Sequence, residues 1–301
     1  MKHPDTTIVV QAHVHSKRSH DSKIPIQDYV KYFDSKLHDH ELGILGITDH
    51  NCLPVTTREA LSFSTRKVIV VPGIQWKLHK SLKEAWRRRA TRREILTLGN
   101  HDGLREFLSK RWSIRIRQKN EEIADHLTEE QLLEYLDHMD GLTLIVPHPS
   151  HGFVDYYGPK QIERLYRKVK LLKTKINFLV EIATGYDPFP RILYNYSKHY
   201  PVIANSDAHE IISSVGTDSF FSAYSTLIAK DGEFEMWKKN YNHKDIAAYR
   251  ELLNKIGKLL IKENSRIVLK KSFLKSTIHF ANSLPAWVRR RFQDFPRNLT
   301  K

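Results

Sequence analysis

Short apolar runs rich in β-branched residues alternate with stretches that favour helices along the first 230 residues of the chain. Because buried strands read as short continuous apolar runs, we predict a series of strands. They lie near residues 7–13, 43–48, 67–72, 94–98, 142–147, 176–182, 201–205 and 222–229. Helices are predicted between them over residues 26–38, 57–62, 103–108, 128–139 and 159–173, the fourth opening with a capping box from Thr128 to Gln131. This alternation predicts mostly parallel strands, in an α/β barrel or a doubly wound sheet.

Histidines and aspartates recur in four short groups at or just after the carboxyl ends of predicted strands. The groups are His13-Val14-His15 with Asp21, Thr48-Asp49-His50, Pro147-His148-Pro149 and Ser206-Asp207-Ala208-His209. Zinc, manganese and iron accept imidazole nitrogen and carboxylate oxygen, so these groups predict a multinuclear metal site. Residues i and i+2 of an extended strand share a face, so we expect His13 and His15 to face one ion. We expect the same geometry for Asp207 and His209.

The spread of these groups favours a barrel over an open sheet. They come from strand ends separated by more than 190 residues of chain. A closed barrel brings such ends together at one mouth, whereas an open sheet brings together only strands near a switch point. We therefore expect a complete or distorted barrel with the site at its carboxyl-terminal mouth.

The positive charge is unevenly distributed. The chain carries a formal charge of +15, and residues 229–301 contribute 17 Lys and Arg against 7 Asp and Glu, a net +10. We predict a barrel over residues 1–228 and a basic, mainly helical carboxyl-terminal extension over 229–301, with helical periodicity from 245 to 262. A basic surface attracts nucleic acid, a protein partner or an anionic membrane, although a solvated helix face is the alternative interpretation.

Two further features bear on location. No segment is long and apolar enough to span a bilayer, and the amino terminus lacks an apolar signal core, so we expect a cytoplasmic protein without a transmembrane segment. Cys52 is the single cysteine and excludes an internal disulfide. We interpret it as a small buried thiol rather than a metal ligand.

In order and in neighbouring residues, the motifs resemble the PHP (polymerase and histidinol phosphatase) superfamily over about residues 7–228. The residues that carry the resemblance are His13 to Ser22 (HVHSKRSHDS), Gly46 to Asn51 (GITDHN), Val71 to Gln75 (VPGIQ), Pro147-His148-Pro149 and Asn205 to His209 (NSDAH). The resemblance implies a distorted (β/α)7 TIM-like barrel of the PHP type. It also implies two or three divalent ions of zinc, manganese or iron, and cleavage of phosphate esters by a metal-activated hydroxide.

The resemblance assigns the ligands to separate ions. Those of one metal are matched by His13, His15 and Asp207, those of a second by Asp21, His50 and His209, and one of the remaining metal by His148. His148 and His151 are also the candidate catalytic residues, which would orient the phosphate or protonate the leaving oxygen. For His151 an exposed loop position is the alternative. Asp49 and Glu181 are expected to orient neighbouring ligand residues.

One position departs from the family pattern. Gln75 stands where the family commonly places a glutamate that bridges two ions, and a neutral amide lends an oxygen but no charge. Glu94, at the start of the next predicted strand, is the candidate that restores the carboxylate as a ligand, the alternative being a solvent-exposed strand start. His79 and His101 are rival candidates that we interpret as surface histidines.

A basic stretch over residues 76–119 is predicted to form an insert or lid above the barrel mouth. It contains Arg87-Arg88-Arg89, which are candidates for contact with a substrate phosphate or with nucleic acid. A lid that packs its tryptophans inward and merely exposes its arginines is the alternative interpretation.

The sequence therefore predicts an enzyme, a metal-dependent phosphoesterase of the phosphatase or nuclease kind, with a nucleotide or nucleic acid as candidate substrate. A catalytically degenerate PHP-like module that binds nucleic acid or a protein partner is the alternative, because Gln75 replaces the bridging glutamate. A metal-dependent amidohydrolase or deaminase is the third hypothesis, since those enzymes also begin with His-x-His and end with an aspartate. By resemblance to the PHP superfamily, the early Thr48-Asp49-His50 and the His209 that follows Asp207 are phosphoesterase features.

Overall fold

The computed structural model describes residues 6–79, 93–123, 127–147, 157–183, 196–212, 218–229, 245–261 and 266–269, together with Phe234 and Trp237. Within these residues the strands form a single sheet in the order β7-β6-β5-β4-β3-β2-β1-β8-β9. The strands are β1 (Thr6–Val14), β2 (Glu41–His50), β3 (Val68–Leu78), β4 (Arg93–Leu98), β5 (Thr143–Val146), β6 (Asn177–Ala183), β7 (Val202–Ala204), β8 (Ala223–Ala229) and β9 (Arg266–Leu269).

The sheet curls until the segment after β7 meets β1, which makes a nearly closed barrel. The backbone N–H of His15 donates to the carbonyl of Ala208 at 2.9 Å. The backbone N–H of Ala12 donates to Oδ1 of Asn205 at 2.7 Å. These contacts bring the first and last histidine motifs side by side. The prediction of a distorted TIM-like α/β barrel is confirmed.

Strand direction departs from the mostly parallel pairing that we predicted. Strands β1, β2 and β3 are parallel, as are β5, β6 and β7. Strand β4, however, is antiparallel to both of its neighbours, β8 is antiparallel to β1, and β9 is antiparallel to β8. Because β4 runs backwards, its first residues lie at the mouth where the parallel strands end. Glu94 therefore lies at the mouth.

Six α-helices lie within the described residues, close to the predicted positions. They are α1 (Ile26–Lys36), α2 (Thr57–Phe63), α3 (Leu104–Trp112), α4 (Glu129–Leu136), α5 (Pro159–Lys170) and α6 (Ile246–Leu260). The predicted capping box is present, since the Thr128 hydroxyl accepts from Gln131 N–H at 3.2 Å and Gln131 Oε1 accepts from Thr128 N–H at 3.0 Å. None of the helices in the described part of the chain has the length and apolar character needed to cross a membrane.

The buried apolar side chains form two layers, which the sheet separates along β4, β5 and β6, whereas the first layer extends to both faces of β1, β2 and β3. Along β4, β5 and β6 they alternate, so that Leu96, Ile145 and Leu179 join a layer that continues to α1, α2 and α6. Their immediate neighbours, such as Ile95 and Val180, join a second layer beneath α3, α4 and α5. This alternation is the period-two pattern of a sheet that is buried on both faces.

The carboxyl-terminal extension is partly described. Helix α6 buries Tyr249, Leu253 and Ile256 against the first layer, and β9 pairs with β8 at the edge of the sheet. The described part of the extension thus contributes a strand as well as a helix. The division at residue 228 and the cytoplasmic location stay predictions.

Candidate metal centre

Four potential ligand atoms converge at the end of β1 and form the first ligand group, which consists of His13, His15, Asp207 and Gln75. Nε2 of His13 lies 3.1 Å from Nε2 of His15 and 3.2 Å from Oδ1 of Asp207. Nε2 of His15 also lies 3.2 Å from Oδ1 of Asp207. Oε1 of Gln75 lies 3.2 Å from Nε2 of His13. Four ligands placed about 2.1 Å from one ion in a tetrahedron lie about 3.4 Å apart, so these separations suit a single ion.

A second ligand group, consisting of Asp21, His50 and His209, adjoins the first through His15. Oδ2 of Asp21 lies 2.9 Å from Nε2 of His50 and 3.3 Å from Nε2 of His209. The ring of His15 stacks against the rings of both His50 and His209, with its centroid 4.3 Å from each of theirs. One ligand atom from each of these four residues lies within 4.8 Å of the others. His15 therefore touches both groups.

Local backbone geometry distributes the side chains between the two groups. Alternation along β1 directs His13 and His15 to the same point while Val14 is fully buried, as the sequence predicts. The same geometry does not hold for Asp207 and His209, because Asp207 adopts a left-handed conformation with φ of 53°. That backbone turn sends Asp207 to the first group and His209 to the second. A non-glycine residue held in this conformation is a common feature of functional sites.

The donor chemistry fits divalent transition ions. Imidazole nitrogen, carboxylate oxygen and an amide oxygen together suit zinc, manganese or iron. Within the described residues, Nδ1 of His15 and Nδ1 of His50 are buried and make no hydrogen bond. Because Nε2 of each ring faces a carboxylate, these Nδ1 atoms are the opposite nitrogens, and the fit to an ion rests on the converging Nε2 and carboxylate oxygen atoms instead.

Glu181 orients His13. Its Oε1 accepts a hydrogen bond from Nδ1 of His13 at 3.2 Å and another from Nδ2 of Asn205 at 2.8 Å, and its side chain is fully buried. In the neutral form of His13, a proton held on Nδ1 leaves the lone pair on Nε2, facing the first ligand group. We predicted no role for Asn205, although it directly precedes the Ser206-Asp207 motif.

Asp49 fixes the backbone beside His15 rather than beside His50. Its carboxylate accepts from the backbone N–H of Ser16 at 2.6 Å and from the Ser16 hydroxyl at 2.7 Å. Burial raises the pKa of Asp49 to about 6 despite these hydrogen bonds. The residue therefore acts on the turn that leaves β1.

The electrostatics differ between the two groups. Burial alone would lower the pKa of His13, but the carboxylates of Asp207 and Glu181 outweigh it and raise that pKa to about 9. Burial lowers the pKa of His15 well below its usual value. Burial would raise the pKa of Asp21, but hydrogen bonds from His209 and His50 hold it far below its usual range. The site thus attracts positive charge between its carboxylates while His15 stays neutral and able to bind a metal.

The second group is the more accessible one. The side chains of Asp21 and His209 are 31% and 26% exposed, whereas those of His13 and His15 are fully buried. A substrate that enters the barrel mouth therefore meets the second group first.

Solved structures that are similar to this chain include an endonuclease and a presumed phosphoesterase. Endonuclease Q, in complex with a 27-mer duplex substrate with an abasic lesion at the active site, matches 79% of this chain at 15% identity and a TM-score of 0.44, and this chain spans 57% of its length. A presumed metal-dependent phosphoesterase from Bifidobacterium adolescentis ATCC 15703 matches 70% of this chain and 90% of its own, at 10% identity and a TM-score of 0.41. A scan of protein-family profiles and a search of curated proteins found no match.

The resemblance to the PHP-like phosphoesterases rests on the sequence motifs, from His13-Val14-His15 to Asp207-Ala208-His209. At TM-scores of 0.44 and 0.41, the two solved structures carry no argument for a superfamily or a function. The functional assignment depends instead on the motifs and on the side-chain geometry.

Glu94 lies next to the first group but not in it. Its Oε2 accepts a hydrogen bond from Nε2 of Gln75 at 2.9 Å. Among the described residues, the clusters with metal-like spacing do not include Glu94. The alternative of a wholly solvent-exposed strand start is wrong, because the residue is half-buried at the mouth.

The interpretation of His101 as a surface histidine is wrong. Its side chain is buried, with Nδ1 2.8 Å from the Tyr135 hydroxyl and Nε2 3.3 Å from Oγ1 of Thr97. His79 is half-buried, not exposed, and its backbone N–H donates to the carbonyl of Leu127. Neither residue belongs to a ligand cluster within the described part of the chain. We therefore interpret both histidines as structural residues.

Cys52 is buried, as the sequence predicts. Its Sγ donates to the carbonyls of His50 and Arg18 at 3.2 and 3.3 Å. Burial raises the pKa of the thiol to about 12, so the sulfur is a weak ligand at neutral pH.

Several predicted residues lie outside the described residues, namely His148, His151, Arg87, Arg88 and Arg89. Of the predicted insert, residues 76–78 complete β3, 93–98 form β4 and 104–112 form α3. Trp112 packs against Phe107 and donates to Glu134, so this tryptophan is used in packing. The lid itself stays a prediction.

Proposed function

We propose that the protein is a metal-dependent hydrolase that cleaves a phosphate ester. The observation that carries this proposal is the meeting of two ligand groups at His15, one buried and one open to the barrel mouth. Adjoining ions, one of them accessible, suit phosphoryl chemistry, in which charge develops on both the attacking and the leaving oxygen.

The roles of the residues follow from their positions. His13, His15, Asp207 and Gln75 would hold one ion, and Asp21, His50 and His209 would hold a second. Bound ions would supply Lewis acidity and a lowered pKa for water. Glu181 and Asp49 keep the ligands in place through hydrogen bonds.

The remaining assignments extend the same proposal. His148 would bind a third ion or, with His151, orient the phosphate and protonate the leaving oxygen. Arg87, Arg88 and Arg89 would pair with substrate phosphates. Zinc, manganese and iron are the candidate ions.

A nucleotide or nucleic acid is the proposed substrate class. The formal charge of +15 supports an anionic substrate, because a strongly basic protein concentrates polyanions at its surface. Low salt should therefore increase the rate on an oligonucleotide more than the rate on a neutral ester.

The test combines metal analysis with a substrate panel. We expect the purified protein to contain zinc, manganese or iron by elemental analysis, and to hydrolyse a phosphomonoester, a phosphodiester or an oligonucleotide. Chelation should abolish this activity and added metal should restore it. His13→Ala should lower both metal content and rate, the rate by more than about 100-fold, since even residues behind the ligands cost about 10 to 100-fold. His38→Ala, at an exposed histidine stacked on His40, is the matched control.

The panel also separates the competing hypotheses. Absence of bound metal, together with absence of activity after addition of Mn or Zn, contradicts the proposal. Salt-sensitive binding of nucleic acid without turnover would instead support a silent module, which the neutral Gln75 favours. Hydrolysis confined to amides or nucleobases would point to an amidohydrolase or deaminase.

A further inference from the structure

The side chain of Gln75 connects the first ligand group to Glu94. The residue is 1% exposed, so both ends of its amide need partners inside the protein. Its Nε2 donates to Oε2 of Glu94 at 2.9 Å, and its Oε1 lies 3.2 Å from Nε2 of His13. The amide therefore has one defined orientation between a carboxylate and a ligand histidine.

Glu94 determines that orientation. An ionised carboxylate only accepts hydrogen bonds, so it takes the NH2 end of the amide and turns the carbonyl oxygen towards His13. To bind a metal, His13 must be neutral; Glu181 then holds its proton on Nδ1, and its Nε2 is an acceptor. Without Glu94 the NH2 end of Gln75 would be free to bind that Nε2.

With His13 neutral, the resulting arrangement favours a cation. Nε2 of His13 lies 3.1 to 3.2 Å from Nε2 of His15, Oδ1 of Asp207 and Oε1 of Gln75, and each of these atoms has a lone pair. Lone pairs this close repel unless a positive ion lies between them. Through Gln75, Glu94 therefore favours metal binding over a hydrogen bond from the NH2 group of Gln75 to Nε2 of His13.

The sheet explains how Glu94 reaches this position. In the antiparallel pair of β3 and β4, Gln75 faces Leu96 and Lys77 faces Glu94. Glu94 is therefore the diagonal neighbour of Gln75 on the same face, within reach of a long side chain. A parallel β4 would have placed residue 94 at the opposite end of the barrel.

We propose that Glu94 is a positioning residue that holds the amide of Gln75 so that its carbonyl oxygen serves as a neutral ligand of the first ion. Glu94 is not itself a ligand. This inference rests on the proposed metal centre and deepens it, because it gives the first group one carboxylate, Asp207, in place of two.

Three variants separate this role from direct ligation, with metal affinity measured by chelator competition on the full chain. Glu94→Gln keeps a carbonyl that accepts from Gln75, so affinity should stay within about threefold of the wild type. Glu94→Ala frees the amide and should weaken binding about 10 to 100-fold, as for other orienting partners. If Glu94 is a ligand, both variants lose affinity to a similar extent and the proposal is overturned. Glu130→Gln, at a residue with a 68% exposed side chain, controls for the lost charge.

The exchange of the two residues gives a sharper test. In Gln75→Glu/Glu94→Gln the new amide at position 94 donates to the new carboxylate at position 75, which then faces the ion. Metal affinity should rise at least about tenfold above the wild type. Gln75→Glu alone should gain less, because two adjacent carboxylates repel each other. Equal affinities for the wild type and the exchanged pair would contradict the proposal.

A readout that needs no metal distinguishes the failure of this inference from failure of the proposed function. The side-chain NH2 of Gln75, observed by NMR with 15N-labelled glutamine, should exchange slowly with solvent in the wild type and faster in Glu94→Ala. If the Gln75 NH2 group exchanges slowly but the protein binds no metal, the proposed function is contradicted and the orienting role of Glu94 is supported. If the wild type binds metal but its Gln75 NH2 group exchanges quickly, the orienting role of Glu94 is contradicted and the metal centre is supported.

Discussion

His101 is held neutral by its surroundings. The ring is fully buried against Tyr135 and Thr97, and burial lowers its pKa to about 4. In the unfolded chain the pKa returns to about 6.5. Between these two values the unfolded chain binds a proton that the folded protein does not, so acid favours unfolding there.

We therefore predict an acid-sensitive contribution to stability. As pH falls from about 6.5 to 4, His101 should remove on the order of 3 kcal/mol from the free energy of unfolding, with no effect above that window. The measurement is urea unfolding at several pH values for the wild type and for His101→Gln, which cannot be protonated. The gap between the two curves should change with pH only inside the window. A gap that is constant from pH 7 to 4 would disprove the prediction.

At the scale of elements, the metal site depends on how closely β1 approaches β2. Between Gln11 and Val14 the register shifts, so β1 contains one extra residue beside His13. A bulge of this kind re-aims side chains and is common near active sites. It is possible because Gly46 of β2 has no side chain. A Cβ built there would lie 2.7 Å from the backbone oxygen of Ala12.

Gly46→Ala should consequently destabilise the protein by about 1–3 kcal/mol, because backbone atoms of β1 must move. Its metal affinity should also fall, since Ala12 directly precedes His13. Gly43→Ala on the same strand is the matched control, because its Cβ would meet only the side chains of Phe33 and Leu37. Denaturant unfolding and chelator competition measure both effects. A larger loss for Gly43→Ala would contradict this account.

Strand β4 illustrates what elements alone leave open. Its position near residues 94–98 follows from an apolar run, and the structure has it at Arg93–Leu98. Its direction does not follow, because a run buried on both faces reads the same in either sense. The reversed direction carries Glu94 to the mouth and so completes the surroundings of Gln75.

At the scale of the whole molecule, Glu129 connects helices α4 and α5 to strand β4. It opens α4 with a side chain that is 4% exposed, and it pairs with Arg93 of β4 at 3.2 Å and Lys168 of α5 at 2.8 Å. The Tyr157 hydroxyl also donates to it at 3.0 Å. Burial would raise the pKa of Glu129, but Lys168 and Tyr157 keep it below its usual value. The carboxylate is therefore ionised and shared by three parts of the fold.

Removal of the Glu129 carboxylate should lower the free energy of unfolding. Glu129→Ala leaves partly buried cations without their partner, and we expect a loss of roughly 2–4 kcal/mol, a little less than for a fully buried pair because Lys168 is 33% exposed. Glu130→Ala, next to it on the exposed face, should change stability by less than about 0.5 kcal/mol. Thermal and urea unfolding of the two variants measure the difference. Equal losses of stability in Glu129→Ala and Glu130→Ala would contradict this role of the buried carboxylate.

The sequence by itself determined the elements of this protein and most members of the candidate site. Apolar runs, the capping box at Thr128 and the amphipathic α6 follow from local periodicity, which needs no knowledge of the fold. Likewise, the His-x-His spacing of His13 and His15 predicts a shared face, because side-chain alternation is a local property of strands.

Only the tertiary structure decided how those parts combine. The left-handed Asp207, the reversed β4 and the burial of His101 depend on contacts between residues far apart in the chain. No local pattern encodes them, because direction and burial are set by what packs on the other side. For the same reason the sequence alone showed only that Gln75 lacks the charge of a bridging glutamate, whereas the structure places its amide between His13 and Glu94.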